Sequence, residues 1–203
     1  MPAAPVPDVP EAADGFPSAT STGVPAGSTL VPWQGGLDLG VDAPLVTEFA
    51  GRQCATYDGY RFELTGADQF HVGGECVVLR NSWFSTTGNV ASIVIQDRDN
   101  QLLVVAGSTF DGGPFHARGV QGDYGDIHVS DSAFYRFGNA AVEMNDRSAT
   151  ATLTVEGCFM YEPPGWPTDL HVDGVQMDAG GALEVLGNTI IVTPFGDAQD
   201  DYD

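Results

Sequence analysis

Two octapeptides in the second half of the chain carry the residue types that could do chemistry. His116 to Asp123 has the sequence HARGVQGD and His171 to Asp178 has HVDGVQMD, so both share His, Gly, Val, Gln and Asp at equal positions. Between them, residues 141–145 carry Val, Glu and Asn in the same register. Imidazole, amide and carboxylate groups at repeated positions favour a polar surface that binds a ligand or transfers protons.

The elements that must position these residues are short strands repeated along the chain. Five blocks begin at Val77, Leu103, Ile127, Leu153 and Leu183, which are 26, 24, 26 and 30 residues apart. In every block the residue two positions later is also apolar, and the residue four positions later is a turn former: Asn81, Gly107, Asp131, Gly157 and Gly187. A small residue comes next, and two positions after it comes Phe84, Phe110, Phe134, Met160 or Ile190. Alternating apolar residues predict strands, and the turn formers suit a left-handed backbone.

A second register supports a coil of strands. Four valines are each followed three residues later by Asp or Asn: Val94 and Asp97, Val120 and Asp123, Val142 and Asn145, Val175 and Asp178. Each repeat therefore contains at least two strands, and no amphipathic helix pattern separates the blocks. In residues 58 to 192 the sequence resembles the pectate-lyase-like superfamily. That resemblance implies an all-β fold, a right-handed single-stranded parallel β-helix of about six or seven turns, but no particular activity.

Stacking of the repeats predicts where the candidate site residues lie. Strands in adjacent turns are ~4.8 Å apart, so Gln121, Glu143 and Gln176 are expected to form one outward column. Asp123, Asn145 and Asp178 form a second column, which Asp97 extends, while the valines point inward. The predicted strip is flanked by His116, Arg118, His171 and Asp173.

Four roles for this strip remain open. Asp97, Asp123 and Asp178 could bind calcium, with Arg118 as the base, as in the lyases that the fold resembles. Alternatively, Asp123 and Asp178 could act on a glycosidic bond, or the strip could bind neutral sugars, aided by the aromatic residues Tyr124, Tyr161 and Trp166. A purely structural ladder of Asp and Asn side chains on turn amides is the fourth role. His116 and His171 lie two turns apart, ~10 Å, which is too far for them to share a metal ion. Each histidine is therefore expected to form hydrogen bonds beside a turn.

Charge limits the partners. The net charge is −21, from 28 acidic residues against seven basic residues, all of them arginine. This field repels nucleic acid, anionic membranes and, unless calcium bridges the charges, polyanionic sugars. Lysine-dependent lyase chemistry is excluded because the chain has no lysine. The chain contains no run of ~20 apolar residues, so the sequence does not predict a membrane-spanning helix.

The three cysteines do not predict a disulfide framework. Cys158 takes the place of the small residue in its block, which predicts a buried spacer. Cys54 and Cys76 are about one turn apart and could form a bridge. The odd count nevertheless favours free thiols.

The segments outside the repeat suggest where the protein works. Residues 1–14 are predicted to be a flexible Pro/Ala-rich leader without signal-peptide features, 15–57 an entry or capping segment, and 193–203 an acidic tail. The opening sequences GFP at 15–17 and TGVPAGSTL at 22–30 resemble those of β-helix proteins from actinobacteria and their phages, which are often described as minor tail, tail-spike or uncharacterised secreted proteins. Neither end of the coil shows an amphipathic capping helix, so partner chains are expected to supply the cover.

The resemblance implies a virion surface component, such as a tail-spike, minor tail or decoration protein, that contacts host glycans. Its expected partners are other virion proteins or further copies of itself, a trimer being one arrangement, and no cofactor other than calcium is expected. The alternatives are an extracellular polysaccharide lyase or glycoside hydrolase, and a structural β-helix with no ligand.

Overall fold

The computed structural model describes residues 15–97, 101–145, 150–163, 172–178 and 181–192, and these form a parallel β-helix of about six turns. The prediction of an all-β parallel β-helix is confirmed. Each turn passes through three sheets in the order C, A, B, and within each sheet strands from successive turns pair in parallel.

The strands are numbered along the chain. Sheet A contains, in spatial order, β1 (Val31–Pro32), β5 (Tyr60–Leu64), β8 (Trp83–Thr86), β11 (Thr109–Asp111), β14 (Ala133–Tyr135), β17 (Phe159–Glu162) and β20 (Thr189–Val192). Sheet B contains β2 (Asp38–Leu39), β6 (Phe70–Val72), β9 (Ser92–Gln96), β12 (Arg118–Gly122), β15 (Ala140–Met144) and β18 (Asp173–Met177). Sheet C contains β3 (Leu45–Phe49), β4 (Arg52–Asp58), β7 (Cys76–Arg80), β10 (Leu102–Ala106), β13 (Asp126–Ser130), β16 (Thr152–Glu156) and β19 (Ala182–Leu186). A short 3-10 helix, Gly113–Phe115, precedes β12.

A column of aromatic rings forms the centre of the coil. The rings of Phe62, Phe84, Phe110 and Phe134 stack in succession, with centroids 4.4, 4.6 and 5.0 Å apart. The predicted column from Phe84 to Ile190 is confirmed by the strand register of sheet A. Burial of one such side chain contributes about 2 to 3 kcal/mol.

The turn between sheets C and A is left-handed, as predicted. The five turn formers have φ values of 49°, 54°, 47°, 61° and 60°, in the order Asn81, Gly107, Asp131, Gly157 and Gly187. The small residues that follow them bond to one another across the turns: the amide of Ser82 donates to Oγ of Ser108, and the amide of Ser108 donates to Oγ of Ser132, each at 3.2 Å. This ladder satisfies backbone N–H groups that the coil buries.

The first turn is covered by the chain itself. Trp33 packs on Tyr57, Tyr60 and Phe62, with ring centroids 5.2, 5.6 and 5.5 Å apart. The antiparallel hairpin β3–β4 extends sheet C beyond this turn. Within the described residues, these contacts cover the start of the aromatic column.

Cys54 and Cys76 form a disulfide, so the prediction that they are free thiols is wrong. Ala55 pairs with Val77, which places the two cysteines directly opposite each other with their Cα atoms 4.6 Å apart. The odd count arises because Cys158 is a buried spacer, as predicted, and burial raises the pKa of its thiol to about 12.

The last described turn is open. Leu183, Val185 and Ile190 belong to the inward columns, yet they are 47%, 42% and 42% exposed. Among the described residues, none covers these side chains as Trp33 covers the first turn.

A segment before β1 lies over the outer face of sheet A, and we call residues 15–30 the strap. Ala19 packs against a buried outer cluster of Ala133, Tyr135, Phe159 and Tyr161. Further along, the amide of Gly23 donates to the carbonyl of Asp131 at 2.8 Å. The predicted entry segment is therefore also a cover for one side of the coil.

Candidate functional site

The outer face of sheet B brings the predicted strip together. Gln121 pairs in register with Glu143, and Glu143 pairs with Gln176. On the other side of Gln121 the column continues through Ile95 to His71, a residue that the sequence analysis did not single out. The five side chains therefore lie at successive strand spacings of ~4.8 Å on one face.

The second predicted column continues the same ladder just past the strand ends. The amides of Asp123, Asn145 and Asp178 donate to carbonyls of the preceding turn at 2.8, 2.7 and 3.0 Å. The side-chain amide of Gln176 donates to both carboxylate oxygens of Asp178, at 2.9 and 3.0 Å. The equivalent bond from Gln121 to Asp123 is 3.5 Å long. The carboxylate of Asp178 is therefore oriented by a glutamine of the strip, and the structural alternative remains open for the other members of the column.

Glu143 differs from its neighbours in the column. It was predicted to face outward, but it is only 3% exposed because the Arg118 side chain forms an ion pair with it. A buried carboxylate requires such a charged partner. Because its guanidinium is engaged by Glu143, Arg118 is poorly placed to act as the base of a lyase.

A fixed hydrogen bond also holds the centre of the strip. The hydroxyl of Ser92, which is fully buried, donates to Oε1 of Gln121 at 2.5 Å. At the end of the column nearest the N-terminus, Nδ1 of His71 lies 3.5 Å from a carboxylate oxygen of Asp97. The strip thus presents polar groups whose orientation is set by neighbours.

Two aromatic residues flank the central strand of this face. Phe115 precedes β12 and is 44% exposed, and Tyr124 follows β12 and is half-buried. Tyr124 was predicted to assist sugar binding, whereas Phe115 was not. Tyr161, the other described aromatic residue of that prediction, is buried on the outer face of sheet A and does not lie on the strip.

His116 does not join the strip. It ends the 3-10 helix with a φ of 52°, and its ring contacts the carboxylate of Glu162 at the corner between sheets A and B. The other oxygen of Glu162 accepts the amide of Phe137. This agrees with a histidine satisfied beside a turn.

A second ion pair completes this corner, and the sequence analysis missed it. Arg136 donates from Nε to Asp111 at 2.7 Å and contacts its second oxygen through Nη2. Asp111 also accepts the amide of Gly113 at 3.1 Å. Burial, together with the negative charge of Asp111, raises the pKa of the neighbouring Tyr135 to about 12. In the sequence, the only sign of these contacts was a charged residue at the end of an otherwise uncharged strand, Asp111 in β11 and Glu162 in β17.

The remaining predicted residues are distributed as follows. Asp173 pairs in register with Ala140, two strands from Arg118, and its amide donates to the carbonyl of Asn139 at 2.6 Å. His171 and Trp166 lie outside the described residues, as do the leader 1–14 and the tail 193–203.

The carboxylates of the strip are spread along the coil. Within the described residues, no three His, Cys, Asp or Glu side chains come together at a site that could hold a metal ion. Calcium binding by Asp97, Asp123 and Asp178 remains a prediction. Asp123 and Asp178 are two strand spacings apart, ~9.6 Å, at the upper limit for the paired acids of an inverting glycosidase.

Comparison of the chain with models of protein families, with curated proteins and with solved structures finds no match. In the part of the chain that the structure describes, no helix has the length and apolar character to cross a membrane.

Proposed function

We propose that the protein is a carbohydrate-binding β-helix that binds its ligand on the outer face of sheet B without cleaving it. The observation that carries this proposal is the register column of His71, Gln121, Glu143 and Gln176, with their bonded partners. Amide and imidazole groups both donate and accept hydrogen bonds, and a guanidinium group donates them, so together they complement sugar hydroxyls. A glycan lying across the strands meets such groups at His71, Gln121 and Gln176, and meets Arg118 over the buried Glu143, whereas the turn between His71 and Gln121 presents Ile95.

Preorganisation supports this role. Gln121 is held by Ser92, and Gln176 is held by Asp178. Side chains that are already ordered lose less conformational entropy when a ligand binds. Phe115 and Tyr124 lie just before and just after β12 in the chain and are both partly exposed, so their rings offer an apolar surface to a ligand near this strand.

We further propose that the protein works outside the cell, as a virion surface component of an actinobacteriophage that meets host glycans. The opening sequence supports this assignment through its resemblance, and the Cys54–Cys76 disulfide supports an oxidising location. The exposed apolar residues of the last described turn suit contact with other virion proteins or a further copy.

A glycoside hydrolase is the second candidate. It is favoured by the position of Asp123 and Asp178 in one column, ~9.6 Å apart. A lyase that uses Arg118 as its base is disfavoured, because that side chain is paired with Glu143.

The test is retention of the purified protein on cell-wall glycans and a panel of polysaccharides, with and without calcium, together with an assay for released oligosaccharides. We expect retention without release, and a loss of about tenfold or more in affinity for the double variant Gln121→Ala/Gln176→Ala. Gln53→Ala is the matched control, because Gln53 is exposed on β4 in sheet C.

Two outcomes would overturn the assignment. Release of oligosaccharides that stops in Asp123→Ala or Asp178→Ala would make the protein a hydrolase. Equal retention of the double variant and the Gln53→Ala control would remove sheet B from the binding site.

A further inference from the structure

We propose a second ligand site, on the other side of the coil, for a short saccharide that carries one carboxylate. A cavity of about 650 Å³ lies between the strap and the outer face of sheet A. Its wall on the strap side includes Pro25, Ser28 and Thr29, and its wall on the sheet side includes Arg61 and Trp83. This site is separate from the strip on sheet B and does not depend on it.

The strap is held at both ends of the cavity. At one end, the amide of Gly23 donates to the carbonyl of Asp131 at 2.8 Å and the amide of Val24 donates to Oγ1 of Thr109 at 3.0 Å. At the other end, the amide of Val31 donates to the carbonyl of Gly59 at 2.9 Å. Because both ends are bonded to the coil, the chain between them forms a fixed arch over the sheet.

A turn shapes the arch. The amide of Ser28 donates to the carbonyl of Pro25 at 3.1 Å, and Gly27 has a φ of 80°. A glycine suits this left-handed position because it has no side chain. The turn places Ser28 and Thr29 in the cavity wall, and a hydroxyl side chain can donate to or accept from a sugar.

The floor of the cavity combines a cation with a ring. Arg61 pairs in register with Trp83, so the two side chains are neighbours on the outer face at a spacing of ~4.8 Å. An arginine binds a carboxylate through two parallel hydrogen bonds, and an indole ring offers a broad apolar face. Together they match a sugar ring that bears an acid group.

Glu63 is one intramolecular partner of Arg61 and competes with a ligand for it. Its carboxylate lies 3.9 Å from Nη1 of Arg61, and its side chain is 62% exposed. The Arg61 side chain is 23% exposed, but the long distance and the solvated Glu63 carboxylate make this pair weak, so a ligand carboxylate can replace Glu63.

The size and charge of the site limit the ligand. A volume of about 650 Å³ lies within the usual range for small-molecule sites and equals roughly twenty water volumes of ~30 Å³, which accommodates a short oligosaccharide. The net charge of −21 repels long polyanions. A single acid group that reaches Arg61 avoids most of that repulsion, because salt screens charges beyond ~8 Å.

Calorimetric titration of the full chain tests the proposal, with a disaccharide of one glucuronic acid and one glucose as the probe and the corresponding neutral disaccharide as its comparison. We expect the acidic probe to bind about tenfold tighter than the neutral one. Arg61→Gln should remove that preference. Trp83→Ala should weaken the binding of both disaccharides, whereas Trp83→Phe retains an aromatic ring and should keep the preference for the acidic one.

Two control variants separate this site from other surfaces. Arg52→Gln removes an exposed arginine on β4 and leaves the titration unchanged. Gln121→Ala/Gln176→Ala also leaves it unchanged, because those side chains lie on sheet B. The proposal is overturned if the wild-type chain does not bind the acidic probe, if it binds both probes equally, or if Arg61→Gln, with a wild-type circular dichroism spectrum, keeps the preference.

Discussion

Sheets A and B are built from the same turns of the coil, but their outer faces differ in what covers them. The outer face of sheet A carries Tyr135, Phe159 and Tyr161, which are 5%, 0% and 5% exposed. They pack together in one cluster, and Ala19 of the strap packs against it. The outer face of sheet B carries Gln121, Gln176 and His71, which remain partly exposed. One face is closed by the chain itself, and the other presents polar groups to solvent.

This difference separates residues that stabilise the fold from residues that are available to bind a ligand. Large side chains without exposure contribute to the free energy of folding through burial and packing. Partly exposed amides contribute little to it but are available to a ligand. We therefore expect substitutions in the covered cluster of sheet A, such as Phe159, to lower stability, and substitutions on sheet B to change binding.

The largest expected effect is on the covered face. Phe159→Ala leaves a cavity among Tyr135, Tyr161 and the strap and should lower the free energy of unfolding by about 3 to 5 kcal/mol. Gln176→Ala on sheet B should change it by no more than about 0.5 kcal/mol. Urea denaturation of both variants measures the contrast, and equal losses would show that the two faces do not differ.

The strap itself provides the second prediction. A Cβ at Gly23, whose φ is 74°, would lie 2.4 Å from Oγ1 of Thr109 and 2.9 Å from Cβ of Ala133. Gly23→Ala should therefore cost about 2 kcal/mol and expose the strap to proteolysis. Gly27→Ala is the matched control: its φ is 80°, but a Cβ there meets nothing within 4 Å, so only the backbone strain of about 1 kcal/mol applies. Similar proteolysis of both variants would count against a closely packed strap.

The third prediction concerns pH. Burial raises the pKa of Tyr135 from 10.0 to about 12, so in the folded state this phenol stays protonated at pH values where the unfolded chain has lost the proton. Its contribution to stability is complete below about pH 10 and is lost as the pH rises toward 12. At pH 11 the loss amounts to about 1 kcal/mol. Denaturation at pH 8.5 and pH 11 should show a smaller drop for Tyr135→Phe than for the wild-type chain, and an equal drop would contradict the burial of this hydroxyl.

The smallest effect on stability is expected where the effect on binding is largest. Gln121→Ala removes the acceptor of the buried Ser92 hydroxyl, so it should cost about 1 kcal/mol, whereas Gln176→Ala costs almost nothing. Both should weaken glycan retention. Thermal melts and retention on the same samples measure the two effects, and retention that falls only in parallel with stability would indicate a structural role for the strip.

The sequence predicts the parts of the fold that repeat. Val77, Phe84 and Val120 have equivalents in later turns, and a side-chain period of two fixes which of them face inward. The column of Gln121, Glu143 and Gln176 follows from the same register. The repeat therefore predicts both the core and the composition of one outer face.

Contacts that occur once could not be predicted in this way. The bond of Gly23 to Asp131 and the corner pair of Asp111 and Arg136 are contacts that the equivalent positions of the other described turns do not repeat. The burial of Glu143 depends on the path of the Arg118 side chain, which the repeat does not specify. The Cys54–Cys76 bridge required the register at the start of the coil, where the pattern begins.

The most direct test of carbohydrate binding on sheet B is NMR mapping of the isotope-labelled chain with a retained glycan. We predict that the shifted backbone amides lie in β9, β12, β15 and β18, and that the side-chain amides of Gln121 and Gln176 shift with them. Shifts confined to sheet C, or to the strap and sheet A, would contradict the account.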